Sequence, residues 1–427
     1  MLLFLTFWIL FPPKIGYWGD TGSLLSIALM IVGAHVKATE PAVARKGRTV
    51  GICLIGGMFL YSAAIYVMKG PSSGADLYYT FRFLRAILHF LGCYALARLY
   101  YRKYGSELTK VLLVNLYWAI AIHAAIMCLM FFVTPIREAI GNIIVSETHQ
   151  SYTSMVTAGK RIGGLVGGLD GLSVVQAFGL IVFPSAIVHA KKLQRTLMIA
   201  ILPLILFSVF ISGRTGFVII LSYCPFLFLS FRQMGVKKSA YVVVGVLFIL
   251  LATVLYQPSY QSGQRLETQW DRILSLWSSL TTEQNHEEGA VGKLLQDYTH
   301  DWPTDLGTFL FGSGYSGRGG VTVVSADPGY ILDVHAIGII GTLPMVCLYC
   351  YMLFVSVRYR RFCKDTSLLL LFYTIVSLLV NGKVRFLLAR VGFPIEALLC
   401  FGTLMSHHWS LSANAQEDIL YDEYYAW

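Results

Sequence analysis

Residues 312–341 read GSGYSGRGGVTVVSADPGYILDVHAIGIIG. The stretch opens with a glycine-rich turn segment carrying Arg318, passes through Asp327 and Pro328, and then becomes an apolar helix. A long polar loop here re-enters an apolar scaffold, and the nature of that scaffold decides the fold. Of the 427 residues, 56% are hydrophobic and only 13% charged, with a mean hydropathy of +0.64. An ordinary soluble domain is about 45–50% apolar and about 25% charged, so most of this chain must face lipid. Apolar runs approaching the length of a membrane helix, about 20 residues, recur along the whole chain.

The pattern predicts an all-α polytopic membrane protein of about twelve transmembrane helices, near 2–12, 22–36, 49–68, 82–101, 110–133, 173–190, 196–212, 215–231, 239–256, 329–356, 366–381 and 386–406. The net charge of +10 falls in alternate connections. One basic group is Lys37, Arg45, Lys46 and Arg48, the next Arg98, Arg102 and Lys103, then Lys191, Lys192 and Arg195. Arg232, Lys237 and Lys238 follow, and last come Arg358, Arg360, Arg361 and Lys364. Basic residues in every second loop mark the cytoplasmic side, so the surplus is a topology signal rather than a nucleic-acid patch. With those loops inside, both termini are expected to be cytoplasmic. The first span is not expected to be a cleaved signal peptide, because it lacks a basic start and a small-residue cleavage site.

The whole chain, 1–427, is then a single integral membrane domain with a cytoplasmic tail over 407–427 and two long periplasmic loops, 134–172 and 257–328. Loops of that length inside a compact protein are usually functional or disordered. Leu266, Trp270, Ile273 and Trp277 fall at spacings of four, three and four, which predicts an amphipathic helix with two tryptophans at headgroup level. None of the eight cysteines lies in either long loop, so no disulfide framework is expected there. Cys347 and Cys350 form a CxxC inside an apolar helix, where packing is the plain reading. A metal-ligand cluster is not evident, and no internal repeat supports an inverted-repeat transporter.

Several residues at the predicted outer face could carry chemistry. Arg214, in Ser212-Gly213-Arg214-Thr215-Gly216, precedes a helix start whose free N–H groups would suit a phosphate; it could equally be a snorkelling edge marker. Arg265 and Arg272 lie seven apart on nearly one helix face, in a loop of nine acidic and four basic residues where internal pairing is the alternative. Lys160 and Arg161 precede Gly163, Gly164, Gly167, Gly168 and Gly171, a ligand-approach segment or a hinge. Asp327, beside Pro328, is either a helix cap or a proton acceptor. Asp333 and His335 sit one to two turns into the same helix, two apart and so divergent, while Arg385, Arg390 and Glu396 raise the same question on the last span. Ionisable groups inside spans are costly enough to suggest function, and mutual pairing is the bland answer.

The twelve spans, the long outer loops after the fifth and ninth, SGRTGFV at 212–218, the arginine early in the second loop, and LFGSGYS…DPGYILDVHAIGIIG at 310–341 resemble the bacterial O-antigen polymerase (Wzy) family and its cousins, the O-antigen ligases. The resemblance implies a membrane-embedded glycosyltransferase at the periplasmic face of a bacterial inner membrane. It would use undecaprenyl-pyrophosphate-linked oligosaccharides and membrane lipid, with a chain-length regulator and a flippase as pathway partners and no nucleic acid. By that similarity Arg214 and Arg265 grip the pyrophosphate and Arg161 and Arg318 handle the oligosaccharide; from their own positions Arg272 and His335 join the substrate-binding candidates, and Asp327 is the leading candidate for a catalytic or acceptor-orienting carboxylate. No cofactor is implied, since a pyrophosphate already in place as leaving group removes the need for ATP. Ligases typically carry a histidine where this chain has Asp327, a departure that favours polymerase and leaves the base open. A flippase or exporter would instead need a charged path through the bundle; the charges here are expected mainly in the outer loops, with few inside spans.

Overall fold

The computed structural model describes residues 1–15, 19–35, 40–70, 75–144, 162–166, 169–213, 215–220, 222–223, 298–315 and 328–407. Within them the chain is helical: α1 (Leu2–Leu10), α2 (Thr21–His35), α3 (Ala42–Lys69), α4 (Tyr78–Tyr104), α5 (Leu108–Phe132), α6 (Thr134–Ile143), α7 (Leu169–His189), α8 (Lys192–Ser212), α9 (Leu306–Phe311), α10 (Gly329–Arg358), α11 (Lys364–Asn381) and α12 (393–407). The departure among the described residues is a two-residue antiparallel pairing, β1 (Lys14–Ile15) with β2 (Gly19–Asp20). Six stretches are long and apolar enough to cross a membrane: Ala42–Lys69, Tyr78–Phe132, Gly171–His189, Lys192–Ser212, Gly329–Arg358 and Lys364–Asn381. Of these, Tyr78–Phe132 is α4 and α5 joined through the 3-10 turn Gly105–Glu107, which Gly105 enters at φ 51°. The chain is therefore an all-helical multi-pass membrane protein. Helices dominate because lipid offers no partner for a backbone N–H or C=O, so each span must satisfy its own.

The predicted spans 22–36, 49–68, 82–101, 110–133, 173–190, 196–212, 329–356 and 366–381 fall on described helices, whereas 239–256 and most of 215–231 lie outside the described residues. One boundary needs correction. The predicted last span, 386–406, begins as helix only at 393; residues 384–386 and 389 have no helical structure, and turns fill the rest of 382–392. Arg385 and Arg390 thus sit in an irregular segment rather than on a helix. Beyond it, every residue of 391–406 is buried, which makes α12 a central helix surrounded by the others.

The helices cross closely where side chains are small. A Cβ on Gly51 would lie 2.2 Å from the Phe90 ring, and one on Gly92 would lie 2.4 Å from the Ser26 hydroxyl, so α3 and α2 approach α4 over glycines, as small-residue packing between membrane helices requires. The ends sort into two layers. At one, Arg98 reaches the Gly33 carbonyl, Tyr94 donates to Glu40, and Cys363 reaches the Thr403 carbonyl; the described basic residues of the α2–α3, α4–α5, α7–α8 and α10–α11 connections are there. At the other end the irregular and loop segments meet.

The quoted stretch 312–341 organises that second layer. Gly338 interrupts α10 with φ 66° and ψ 177°, a kink between two helical pieces. A break of this kind frees carbonyls that lipid cannot satisfy. Here Ser313 N donates to His335 O at 2.8 Å and Gly314 N to Ala336 O at 2.9 Å. Residues 312–314, directly after α9, fold back onto the kinked helix. The approach leaves no room for a side chain: a Cβ on Gly338 would lie 2.3 Å from Leu310 O, and one on Gly312 (φ 83°) 2.4 Å from Ala336 O. Asp305 caps α9 by accepting from Thr308 N at 2.7 Å, a bond that holds its carboxyl below the usual carboxylate range. Replacing Gly338 by alanine is predicted to cost at least about 1–3 kcal/mol, the strain of a disfavoured backbone region with a clash added. The check is a lower melting temperature and folded yield of purified protein in detergent, with the nearby Gly307→Ala change as the mild control.

Candidate functional site

The site is built on one face of α4. Arg82, Arg85 and His89 follow each other at spacings of three and four, which stacks them on one side of the helix. That side turns inward: Arg82 is 3% and His89 1% exposed. Opposite stands Asp333, in the first piece of α10, with no exposure at all. Arg82 Nη1 donates to Asp333 Oδ1 at 3.0 Å, and the Tyr79 hydroxyl donates to the same oxygen at 2.6 Å. Arg385 Nε lies 3.5 Å from it, and Asn381 Nδ2 donates to Oδ2 at 3.3 Å. The aromatic rings close the arrangement, with the Arg385 guanidinium 5.0 Å from the Tyr79 centroid and 5.5 Å from that of Tyr78. One carboxylate therefore serves two arginines from separate elements.

Asn381 explains why the segment after α11 is held irregular. Its Oδ1 accepts from Phe386 N at 2.7 Å and Leu387 N at 3.0 Å, while Arg82 Nη2 donates to the Leu387 carbonyl. Side chains thereby satisfy backbone groups that a helix would have satisfied internally. Leu388 adopts φ 54°, and its N–H donates to the Tyr349 hydroxyl at 2.9 Å. The start of α10 presses on this segment, since a Cβ on Gly329 would lie 2.7 Å from Arg385 Cα.

A second group surrounds Asp20. It accepts from Gly22 N and the Ser23 hydroxyl, both at 3.1 Å, and so caps α2. Its Oδ2 lies 3.7 Å from His89 Nε2 and 3.9 Å from Arg85 Nε. Burial alone would push the Asp20 carboxyl up, but the charges of His89, Arg390 and Arg85 outweigh it and hold the group below the usual carboxylate range. Arg390 also donates to the Val166 carbonyl, which ties the first long loop to the irregular segment. The same loop settles on α5, where Leu165 N donates to His123 Nε2 at 3.2 Å and a Cβ on Gly164 would meet that ring at 2.4 Å. His123 Nδ1 pairs with the Gln176 side chain at 2.7 Å, and Ser208 donates to Gln176 Oε1 at 3.0 Å.

Of the sequence-predicted site residues, His335 is described. Its Nε2 pairs with the Asp301 carbonyl at 2.6 Å, away from Asp333, so the two diverge as their spacing requires. Arg161, Arg214, Arg265, Arg272, Arg318 and Asp327 lie outside the described residues, as does the helix expected over Leu266–Trp277. Thr215, the residue after Arg214, accepts from Lys383 Nζ at 3.1 Å, and Gly216 N donates to the Ser173 hydroxyl. Sequence reasoning passed over Arg82, Arg85, His89, Lys383 and Asp20. The spacing of the first three within an apolar span, at the end remote from the basic loops, was the signal that could have found them. Few charges were expected inside spans; among the described residues Arg82, Asp333 and Glu396 are buried within helices.

Among the described residues Arg82, Arg85, Arg385 and Arg390 thus gather around two carboxylates, Asp20 and Asp333, with Lys383 nearby in the irregular segment reaching Thr215. An arrangement with more guanidinium groups than carboxylates, built partly from irregular backbone, suits a polyvalent anion such as a phosphate ester. Comparison with protein-family models, curated proteins and solved structures finds no match to the chain. Because Asp333 compensates two buried cations, Asp333→Asn is predicted to cost about 3–5 kcal/mol. Chemical denaturation of the purified protein in detergent checks this, and a loss below about 1 kcal/mol would show the pairing to be incidental.

Proposed function

We propose that this end of the bundle binds the pyrophosphate of a lipid-linked oligosaccharide and that the chain polymerises such repeat units into O-antigen or a related surface polysaccharide. The observation that carries the reading is the surplus of arginines around the irregular 382–392 segment, set at the membrane edge opposite the basic loops. The growing chain on undecaprenyl pyrophosphate is the donor, and the incoming lipid-linked unit is the acceptor. An acceptor hydroxyl attacks the anomeric carbon, the glycosidic bond forms, and the bond to the pyrophosphate oxygen breaks. Negative charge develops on that leaving group, and a positioned donor facing it is worth about 3 kcal/mol of transition-state stabilisation. Arg214 and Arg265 are assigned the grip on the pyrophosphate, with Arg161, Arg272, Arg318 and His335 on the saccharide. The acceptor proton goes to Asp327 in this account. Asp333 is a poor base, since its oxygens already accept from Arg82, Tyr79 and Asn381.

The active face is assigned opposite the basic loops, away from the cytoplasm, and the resemblance to O-antigen polymerases implies the periplasmic side of a bacterial inner membrane. A second reading has an observation of its own. Charged and polar groups buried within helices, Arg82, Asp333, His123, Gln176 and Glu396, are what a flippase or exporter of lipid-linked sugars would carry. The ligase that moves finished polymer onto lipid A-core is the nearest enzymatic rival.

Deletion of the gene separates the three by the gel pattern of surface polysaccharide. Loss of a polymerase leaves single repeat units on lipid A-core, loss of a ligase leaves none attached, and loss of a flippase strands undecaprenyl-linked units on the inner leaflet. Replacing Arg214 or Arg265 by alanine should leave the protein in the membrane and abolish long-chain product. Lysine should also fail at either position if bidentate geometry matters. A full ladder from both alanine variants would overturn the arginine assignment.

A further inference from the structure

Glu396 belongs to neither cluster. It lies in the first turn of the central helix α12, with no exposure, and neither carboxylate oxygen makes a hydrogen bond of full geometry. The hydroxyls of Ser377 on α11 and Tyr349 on α10 flank it, and no arginine, lysine or histidine among the described residues pairs with it. The buried hydroxyls of Tyr373 and Ser377 beside it, and of Thr374 one turn before Ser377 on α11, also have no hydrogen-bond partner among the described residues. A lone carboxylate in the dry interior of a membrane bundle must be neutralised, by a proton or by a small cation, or it costs many kcal/mol.

The polar groups are ordered along the seam between two helices. On α11, Ser367, Thr374, Ser377 and Asn381 are spaced by seven, three and four, which places them on one face. On α12, Glu396, Cys400 and Thr403 are spaced by four and three, again one face. The two faces meet at both ends, through Ser377 beside Glu396 and through Cys363, at the start of α11, against the Thr403 carbonyl at 3.8 Å. Ser367, Thr403 and Ser406 extend the set of buried hydroxyls without full hydrogen bonds toward the basic end. At the other end Tyr349, whose oxygen accepts from Leu388 N, has its own O–H left to give to Glu396. The Cys400 thiol lies one turn along α12, but the groups that flank the carboxylate are hydroxyl oxygens, and oxygen donors around one negative charge are the chemistry of a hard cation.

We propose that Glu396, with the hydroxyls of Ser377, Tyr349, Tyr373 and Thr374, forms a buried, exchangeable site for one small monovalent cation, a proton or Na⁺. The site is independent of the saccharide chemistry above, because it shares no residue with the arginine cluster. It would let the bundle take up and release one positive charge within the membrane.

Dicyclohexylcarbodiimide tests this on the full chain in native membranes. The reagent is apolar and reacts with a carboxyl in its protonated form: the proton moves to a carbodiimide nitrogen, the carboxylate oxygen bonds to the carbodiimide carbon, and the adduct rearranges to a stable N-acylurea. Peptide mass spectrometry is expected to find the adduct at Glu396 and, in Glu396→Gln, none at that position. If the ligand is a proton, labelling falls about tenfold per pH unit once the carboxyl has ionised and is indifferent to salt. If it is Na⁺, sodium chloride slows labelling several-fold at fixed pH while potassium chloride does not. Either pattern supports the site. Absence of label at Glu396 at every pH and salt, or labelling that responds to neither, overturns it.

Discussion

The interior ion cluster at Asp333 is the constraint on which the rest of the structure depends. Two guanidinium groups are buried inside a membrane bundle, and a single carboxylate with no exposure answers both. Arg82 comes from α4, Asp333 from α10 and Arg385 from the segment after α11, so compensating the charges fixes three elements distant in sequence against one another. The cost of leaving any of the three alone in a low dielectric exceeds what a hydrogen bond returns. Packing of apolar side chains cannot supply this specificity, because between membrane helices lipid tails compete on nearly equal terms.

Two breaks in helical regularity follow from the same need. The kink at Gly338 lets Ser313 and Gly314 pair with carbonyls of α10. The irregular 382–392 segment lets Arg385 and Arg390 reach positions that successive helix turns would have pointed elsewhere, with Asn381 and Arg82 holding its backbone. In both places irregular backbone lies against protein rather than lipid, the condition under which a membrane tolerates it. Arg385 and Arg390 owe their positions to the second of these breaks, whereas Arg82 and Arg85 come from the regular helix α4.

The helical, membrane-crossing character was legible from composition and apolar run length, since lipid leaves few alternatives. The alternation of basic loops was legible too, as a topology signal carried by charge alone. The divergence of Asp333 and His335 followed from a spacing of two on a helix. What escaped was tertiary. A run such as RFLLARVGFPIEALL is apolar enough to be taken for one span from residue 386, yet Asn381, Tyr349 and Arg82 take up its backbone groups and delay the helix to 393. Arg82 and Arg385 could be noticed singly, but their shared partner Asp333 lies some 250 residues from the first, a separation that no periodicity reports.

A double-mutant cycle between Arg82 and Asp333 tests the dependence on this cluster most directly. Arg82→Ala, Asp333→Ala and the double variant would be compared by denaturation in the same detergent. If the carboxylate is held in the bundle to answer the arginines, the double variant loses much less stability than the two single losses together, with a coupling of about 2 kcal/mol or more. Losses that add to within about 0.5 kcal/mol would contradict it.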